Sequence, residues 1–169
     1  MSKFFCSLVF TVLCACTLHA QKFGHVNTAA LLEMMPEVKC ADQILTAFRE
    51  GLVKGGESKV STFETNYKKY LDDMNQGVLS KVQQSETEGA LAKLQKEISD
   101  YEQQVQVQVL QKREELLKPI LQKIDDAIQA EGKEGQYTFI FDSSVSGALL
   151  FAQDSDDLLP AIKKRLGLQ

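Results

Sequence analysis

Cysteine and histidine are the residue types to weigh first. The sequence has four cysteines and two histidines, but Cys6, Cys14, Cys16 and His19 all fall in the first twenty positions, leaving Cys40 and His25. A thiol activated by an imidazole can attack a carbonyl. Here the thiol has an apolar setting and the histidine lies in a strand candidate, which reads as structure rather than a nucleophile pair. One Cys and one His are also too few for a zinc site, and a single remaining cysteine cannot form an internal disulfide. Gly51-Leu-Val-Lys-Gly-Gly56-Glu57-Ser58 comes within one residue of the phosphate-cradling pattern G-x-x-x-x-G-K-[ST]. Glu57 stands where a lysine should meet phosphate, and no strand candidate leads into the loop. Asp72–Asp73, Glu114–Glu115 and Asp125–Asp126 are sequence neighbours, so on helices they point to different faces and suit a solvated surface better than acid/base work. Asp142 follows an apolar strand candidate, as a catalytic Asp can. It also precedes Ser143-Ser144 with no histidine partner, which suits a turn cap. We therefore expect no enzyme, no catalytic residues, no cofactor and no metal.

The elements around these residues are mostly helical. KFGHVN, 22–27, is a strand candidate, and Asn27 or Thr28 can cap a short helix through Met35. Pro36 can open the next helix, where its missing N–H costs nothing. From 37 to 131 the composition turns to Glu, Gln, Lys, Leu and Val. Val60, Phe63, Tyr67, Tyr70 and Met74 step by three and four, a coiled-coil seam. Leu45, Phe48 and Leu52 form an earlier seam in another phase. Gly51, Gly55 and Gly56 lie between the two, each costing a helix about 1 kcal/mol relative to Ala, so we expect a kink, a frayed turn or a hinge there.

A second seam runs Leu91, Leu94, Ile98, Tyr101, Val105, and a third runs Leu117, Leu121, Ile124, Ile128. Between them, QVQVQV at 104–109 alternates like a strand. No Gly or Pro occurs from Ala90 to Lys118, so we read helix, with Val105 and Val109 joining the seams and Val107 facing out. Residues 74–90 hold Gly77 and Gly89 and offer the reversal of a long antiparallel hairpin, its tip near 75–89. An arm of about 40 residues reaches about 60 Å.

Gly132 and Gly135 should end the second arm. YTFIFD, 137–142, reads as a strand with Tyr137, Phe139 and Phe141 on one face. ALLFA, 148–152, reads as a returning strand, and DSDDLLPAIKKRLG as a last helix starting near Asp156. A lone hairpin sheet is marginal, so strands from both chain ends should meet. The fold class is thus α+β: a small sheet body formed by both chain ends, 21–36 and 132–169, with the helical hairpin arm 37–131 inserted. About fifty residues make an undersized body whose strand edges need cover. Oligomerisation would answer both needs, with a core of Val26, Tyr137, Phe139, Phe141, Leu149 and Phe151.

Residues 1–20 read as a cleavable export signal: Lys3, then an apolar run too short to span a bilayer, then Ala20. Leu13-Cys14-Ala15-Cys16 also resembles a lipobox, in which Cys16 would be acylated; otherwise membrane association should be weak or absent. The formal charge is −4, or −4 − 1 = −5 once Lys3 leaves, which argues against nucleic acid as a partner.

KFGHVNTAALLEMMPE, the Gln/Glu/Lys-rich hairpin, LLKPI, YTFIFD, SGALLFA and DDLLPAIKKRLGL together resemble the Skp/OmpH family of periplasmic chaperones over essentially the whole mature chain. The resemblance implies a homotrimer in which three bodies associate and three hairpins surround a cavity. There, unfolded outer-membrane β-barrel proteins would be held in the periplasm without ATP. The best-known members have strongly basic arms, whereas residues 42–131 here carry twelve Lys/Arg against sixteen Asp/Glu. Capture should then rest on apolar and hydrogen-bonding contacts rather than charge. The competing expectation is an envelope coiled-coil adaptor docking a fixed partner through the hairpin, although the tip offers only Val78, Leu79 and Val82 as anchors.

Overall fold

The structure is a computed structural model and describes residues 21–168; the export signal and Cys16 lie outside the described residues. In chain order it holds β1 (Phe23–Val26), α1 (Thr28–Met34), α2 (Pro36–Asn75), α3 (Lys81–Glu134), β2 (Phe139–Asp142), a 3-10 turn (Asp154–Asp156) and α4 (Leu159–Leu166). The chain divides into two compact units: 21–31 with 123–168, and 32–122.

The first unit is built on a two-stranded parallel sheet. Phe23 faces Phe139, Gly24 faces Ile140, His25 faces Phe141 and Val26 faces Asp142. Strands from the two chain ends do meet. Successive strand residues point to opposite faces, and the Gly24/Val26 face is the buried one. Val26, Leu31, Leu158 and Ile162 form the innermost core. Gly24 is required there: a Cβ would stand 2.7 Å from Leu158 Cδ1. Asn27 caps α1 through its Oδ1, which accepts the Ala30 amide at 2.9 Å.

ALLFA does not return as a strand; residues 148–152 are turn and irregular chain. The Ser143 amide donates to the Val26 carbonyl at 2.9 Å, which keeps the chain on the β1 side as it leaves β2. Farther on, the Leu158 amide donates to the His25 carbonyl at 2.8 Å, and Asp157 bridges His25 in parallel. Residues 143–156 must therefore cross from β2 to the far edge of β1, and a crossing chain cannot pair back as a hairpin.

The same bridge delays the last helix. Asp157 is engaged with β1, so α4 begins at Leu159, with Asp157 Oδ1 accepting the Leu159 amide at 2.9 Å. Pro160 lies in the first turn, where it costs no hydrogen bond. Gly167, at φ 71°, closes α4. Tyr137 lies before β2 rather than in it. Its ring packs against Gly135 and would meet a Cβ at Gly24, and the Lys22 ammonium stands 3.9 Å from its centroid.

Neither glycine ends α3 as expected. Gly132 lies inside the helix, where Ile140 Cδ1 leaves 3.2 Å for a Cβ, and Gly135 makes room for Tyr137. The left-handed cap residue is Gln136, at φ 55°. The Tyr137 amide reaches back to the Gly132 carbonyl at 2.9 Å and the Gln136 amide to the Lys133 carbonyl at 3.3 Å, a Schellman closure. A side chain in that region is strained. Gln136→Gly should therefore stabilise the fold by about 0.5–1 kcal/mol, read as a higher urea midpoint at unchanged slope.

The second unit holds the antiparallel pairing of α2 with α3. The Tyr101 hydroxyl on α3 donates to the Leu52 carbonyl on α2 at 2.9 Å. Nearer the turn, the Tyr70 hydroxyl donates to Glu88 Oε1 at 2.6 Å. The reversal is tighter than the composition suggests, since only residues 76–80 lie between the helices. Gly77, at φ 68°, supplies the left-handed residue, and the Ser80 hydroxyl caps α3 by accepting the Gln83 amide at 3.3 Å.

The valine alternation is helix throughout. Val105 and Val109 are half-buried and Val107 faces out. The third seam is rephased: Ile120, Ile124 and Ala127 are buried, while Leu121 is 50% exposed. No break marks Gly51, Gly55 or Gly56, for α2 runs through all three.

Candidate interaction surfaces

The sheet face opposite the core is aromatic. Phe23 stacks on its strand partner Phe139 with centroids 6.1 Å apart and planes 6° apart. Phe141 stands 6.5 Å from Phe23 and 6.3 Å from Phe139. These rings remain 44%, 58% and 42% exposed for Phe23, Phe139 and Phe141. The crossing loop adds Leu150 and Phe151, 93% and 82% exposed. Leaving such residues in water forgoes about 1.5–3 kcal/mol each relative to burial, and contiguous exposed apolar surface of this kind marks an interaction site. Of the six residues expected to form a shared core, Phe139, Phe141 and Phe151 are exposed, Tyr137 and Leu149 are half-buried, and Val26 belongs to the chain's own core. Phe23 and Leu150 were missed. The alternation Phe23, His25 beside Phe139, Phe141 was the signal for Phe23.

Polar contacts hold this face in shape. Asp142 Oδ2 accepts the Thr28 hydroxyl at 2.6 Å. Its Oδ1 accepts the Ser144 amide at 2.9 Å and the Thr28 amide at 3.3 Å. Burial pushes the Asp142 carboxyl up, but these hydrogen bonds outweigh it and the group lies below its ordinary value. Asp142 is thus a clasp between the exit of β2 and the start of α1, and no histidine joins it. Arg165 on α4 reaches Glu131 at 3.0 Å and Glu134 at 2.5 Å on the last turns of α3. The hydrogen bond from Arg165 holds the Glu134 carboxyl below its usual range.

The arm unit has its own apolar groove, about 570 Å³, lined by Leu52, Val53, Val60, Ile98, Tyr101 and Val105. Glu57, Lys59, Glu64 and Glu102 rim it. Nearer the turn, Phe63 and Tyr67 stack at 5.9 Å. The Glu88 carboxyl is lowered by its hydrogen bond from Tyr70, whose own hydroxyl is raised by the same bond, so the proton stays on the tyrosine. Cys40 is exposed on α2, and His25 Nε2 lies 3.4 Å from the Gln153 carbonyl. Among the described residues no cluster of three or more His, Cys, Asp or Glu could hold a metal. No helix among them is long and apolar enough to cross a membrane.

A family model described as "Outer membrane protein (OmpH-like)" matches residues 22–166. The chain belongs to the OmpH-like family. No curated protein matches it. OmpH-like membership is consistent with a periplasmic chaperone of outer-membrane proteins and gives no support to an enzyme. The surfaces of this OmpH-like chain fit such a role chemically. They are apolar and aromatic, spread over sheet face and hairpin, and rimmed by charges of both signs rather than by one basic field.

Proposed function

We propose that this OmpH-like protein is an ATP-independent holdase. It assembles as a homotrimer and keeps unfolded outer-membrane β-barrel proteins from aggregating in the periplasm, after export on the cleavable signal at 1–20. Residues 21–36 with 132–169 act as the body and 37–131 as the arm. The observation that carries the reading is the aromatic sheet face of Phe23, Phe139 and Phe141, left open on an OmpH-like chain. A two-stranded sheet is marginal alone, and second copies of the same chain supply the missing cover at this face. Unfolded barrel strands expose alternating apolar side chains that aggregate in water. Many weak apolar contacts along several arms hold such a client through multivalency.

The test is an unfolded outer-membrane barrel diluted from urea into the mature protein without nucleotide. The client stays soluble at about one trimer per client, and light scattering gives three copies. Because the arm is slightly acidic, suppression should change less than about twofold between 50 and 500 mM salt. A client that aggregates as fast with the protein as without it would overturn the holdase and leave the adaptor role standing.

A further inference from the structure

The geometry points to a latched joint within the arm. Tyr101 holds the glycine-rich stretch of α2 in helix, and the stretch opens when the ring turns outward. Three glycines in six residues, Gly51, Gly55 and Gly56, make this the weakest stretch of α2 on propensity alone. Yet α2 is continuous there, so something outside the local sequence supports it.

That support is one side chain from the opposing helix. The Tyr101 hydroxyl donates to the Leu52 carbonyl at 2.9 Å. In helical geometry this carbonyl also receives the Gly56 amide, and a carbonyl has two lone pairs for the purpose. The fit depends on the glycines. A Cβ at Gly55 would fall 2.5 Å from the Tyr101 hydroxyl oxygen, whereas at Gly56 the nearest atom is Tyr101 Cε1 at 3.4 Å. Gly51 faces open space. The Lys59 ammonium, one turn on, stands 5.6 Å from the Tyr101 centroid, within range of a cation–π attraction.

The glycine that weakens the helix is thus also the one that admits the tyrosine that restores it. The apolar groove lined by Leu52, Val60 and Ile98 lies beside the ring and gives it space to swing. One hydroxyl and one ring contact are a small enough hold to break and remake without unfolding the hairpin. The inference does not depend on the chaperone reading, and its test needs no client.

The experiment is amide hydrogen exchange on the full mature chain, followed by mass spectrometry of short peptides. Tyr101→Phe removes the hydroxyl alone. Exchange over 51–60 should rise about five- to tenfold, with 62–75 and the sheet unit unchanged. Adding Gly51→Ala and Gly56→Ala, which the local space accepts, should bring exchange over 51–60 back to the parent rate by restoring helix propensity. No local rise in Tyr101→Phe overturns the latch. A rise spread evenly along α2 and α3 makes Tyr101 ordinary packing and overturns it too. A local rise that the two alanines fail to suppress removes the glycine joint.

Discussion

Serine at both Phe139 and Phe141 should leave the chain folded and turn the assembly into single copies. Neither ring belongs to the chain's own core; that core lies on the other sheet face, with Val26, Leu31, Leu158 and Ile162. The intrachain loss is limited to ring contacts with Phe23 at 6.1 and 6.5 Å. Aromatic anchors at the centre of an interface typically cost at least about 2 kcal/mol each when truncated. Two of them weaken association by roughly a thousandfold. At micromolar concentration the light-scattering mass should fall from three copies to one, and the variant should no longer suppress barrel aggregation. Serine at Val107, exposed on α3, should change neither reading. A double variant that keeps its full mass would place the self-association surface elsewhere and take the aromatic face out of the argument.

The sequence could reveal the long helices because their signals are local. Val105 and Val109 share a face four residues apart, and Tyr70, Leu91 and Ile98 recur at helical spacing. The features it missed depend on partners distant in sequence. ALLFA has strand composition, but its backbone is committed to a crossing fixed by the Ser143–Val26 and Leu158–His25 hydrogen bonds. Gly132 and Gly135 resemble helix stops, yet each is small because Ile140 or Tyr137 approaches it. The cap then falls on Gln136, which no propensity would choose. Gly55 likewise reads as a weak point until Tyr101 is placed against it. The seam slips from Leu121 to Ile120 because Leu117, Ile120, Ile124 and Ala127 keep one face as well as the set first counted, and only burial separates them.

Asp142 should prove the most consequential polar residue of the sheet unit, and acid should reveal it. Its carboxylate serves the Thr28 hydroxyl, the Thr28 amide and the Ser144 amide together. Asp142→Ala leaves these donors without their acceptor and should cost about 2–3 kcal/mol. Asp142→Asn keeps one acceptor oxygen but loses the charge that strengthens each bond, so it should cost about half as much. The sign of the pH effect follows from the depressed carboxyl. Its folded value lies below the ordinary 3.8. The stability it adds is therefore complete above the ordinary value and is lost as pH falls through the folded value. Urea midpoints of the parent and Asp142→Asn chains should differ by a constant amount from pH 7 to about pH 5 and converge below about pH 4. Glu134 is also depressed, by its bond from Arg165, but it is present in both chains and cancels in the difference. A gap that stays the same from pH 7 to about pH 2.5 would mean that the charge of Asp142 contributes nothing. The clasp would then be a matter of shape alone.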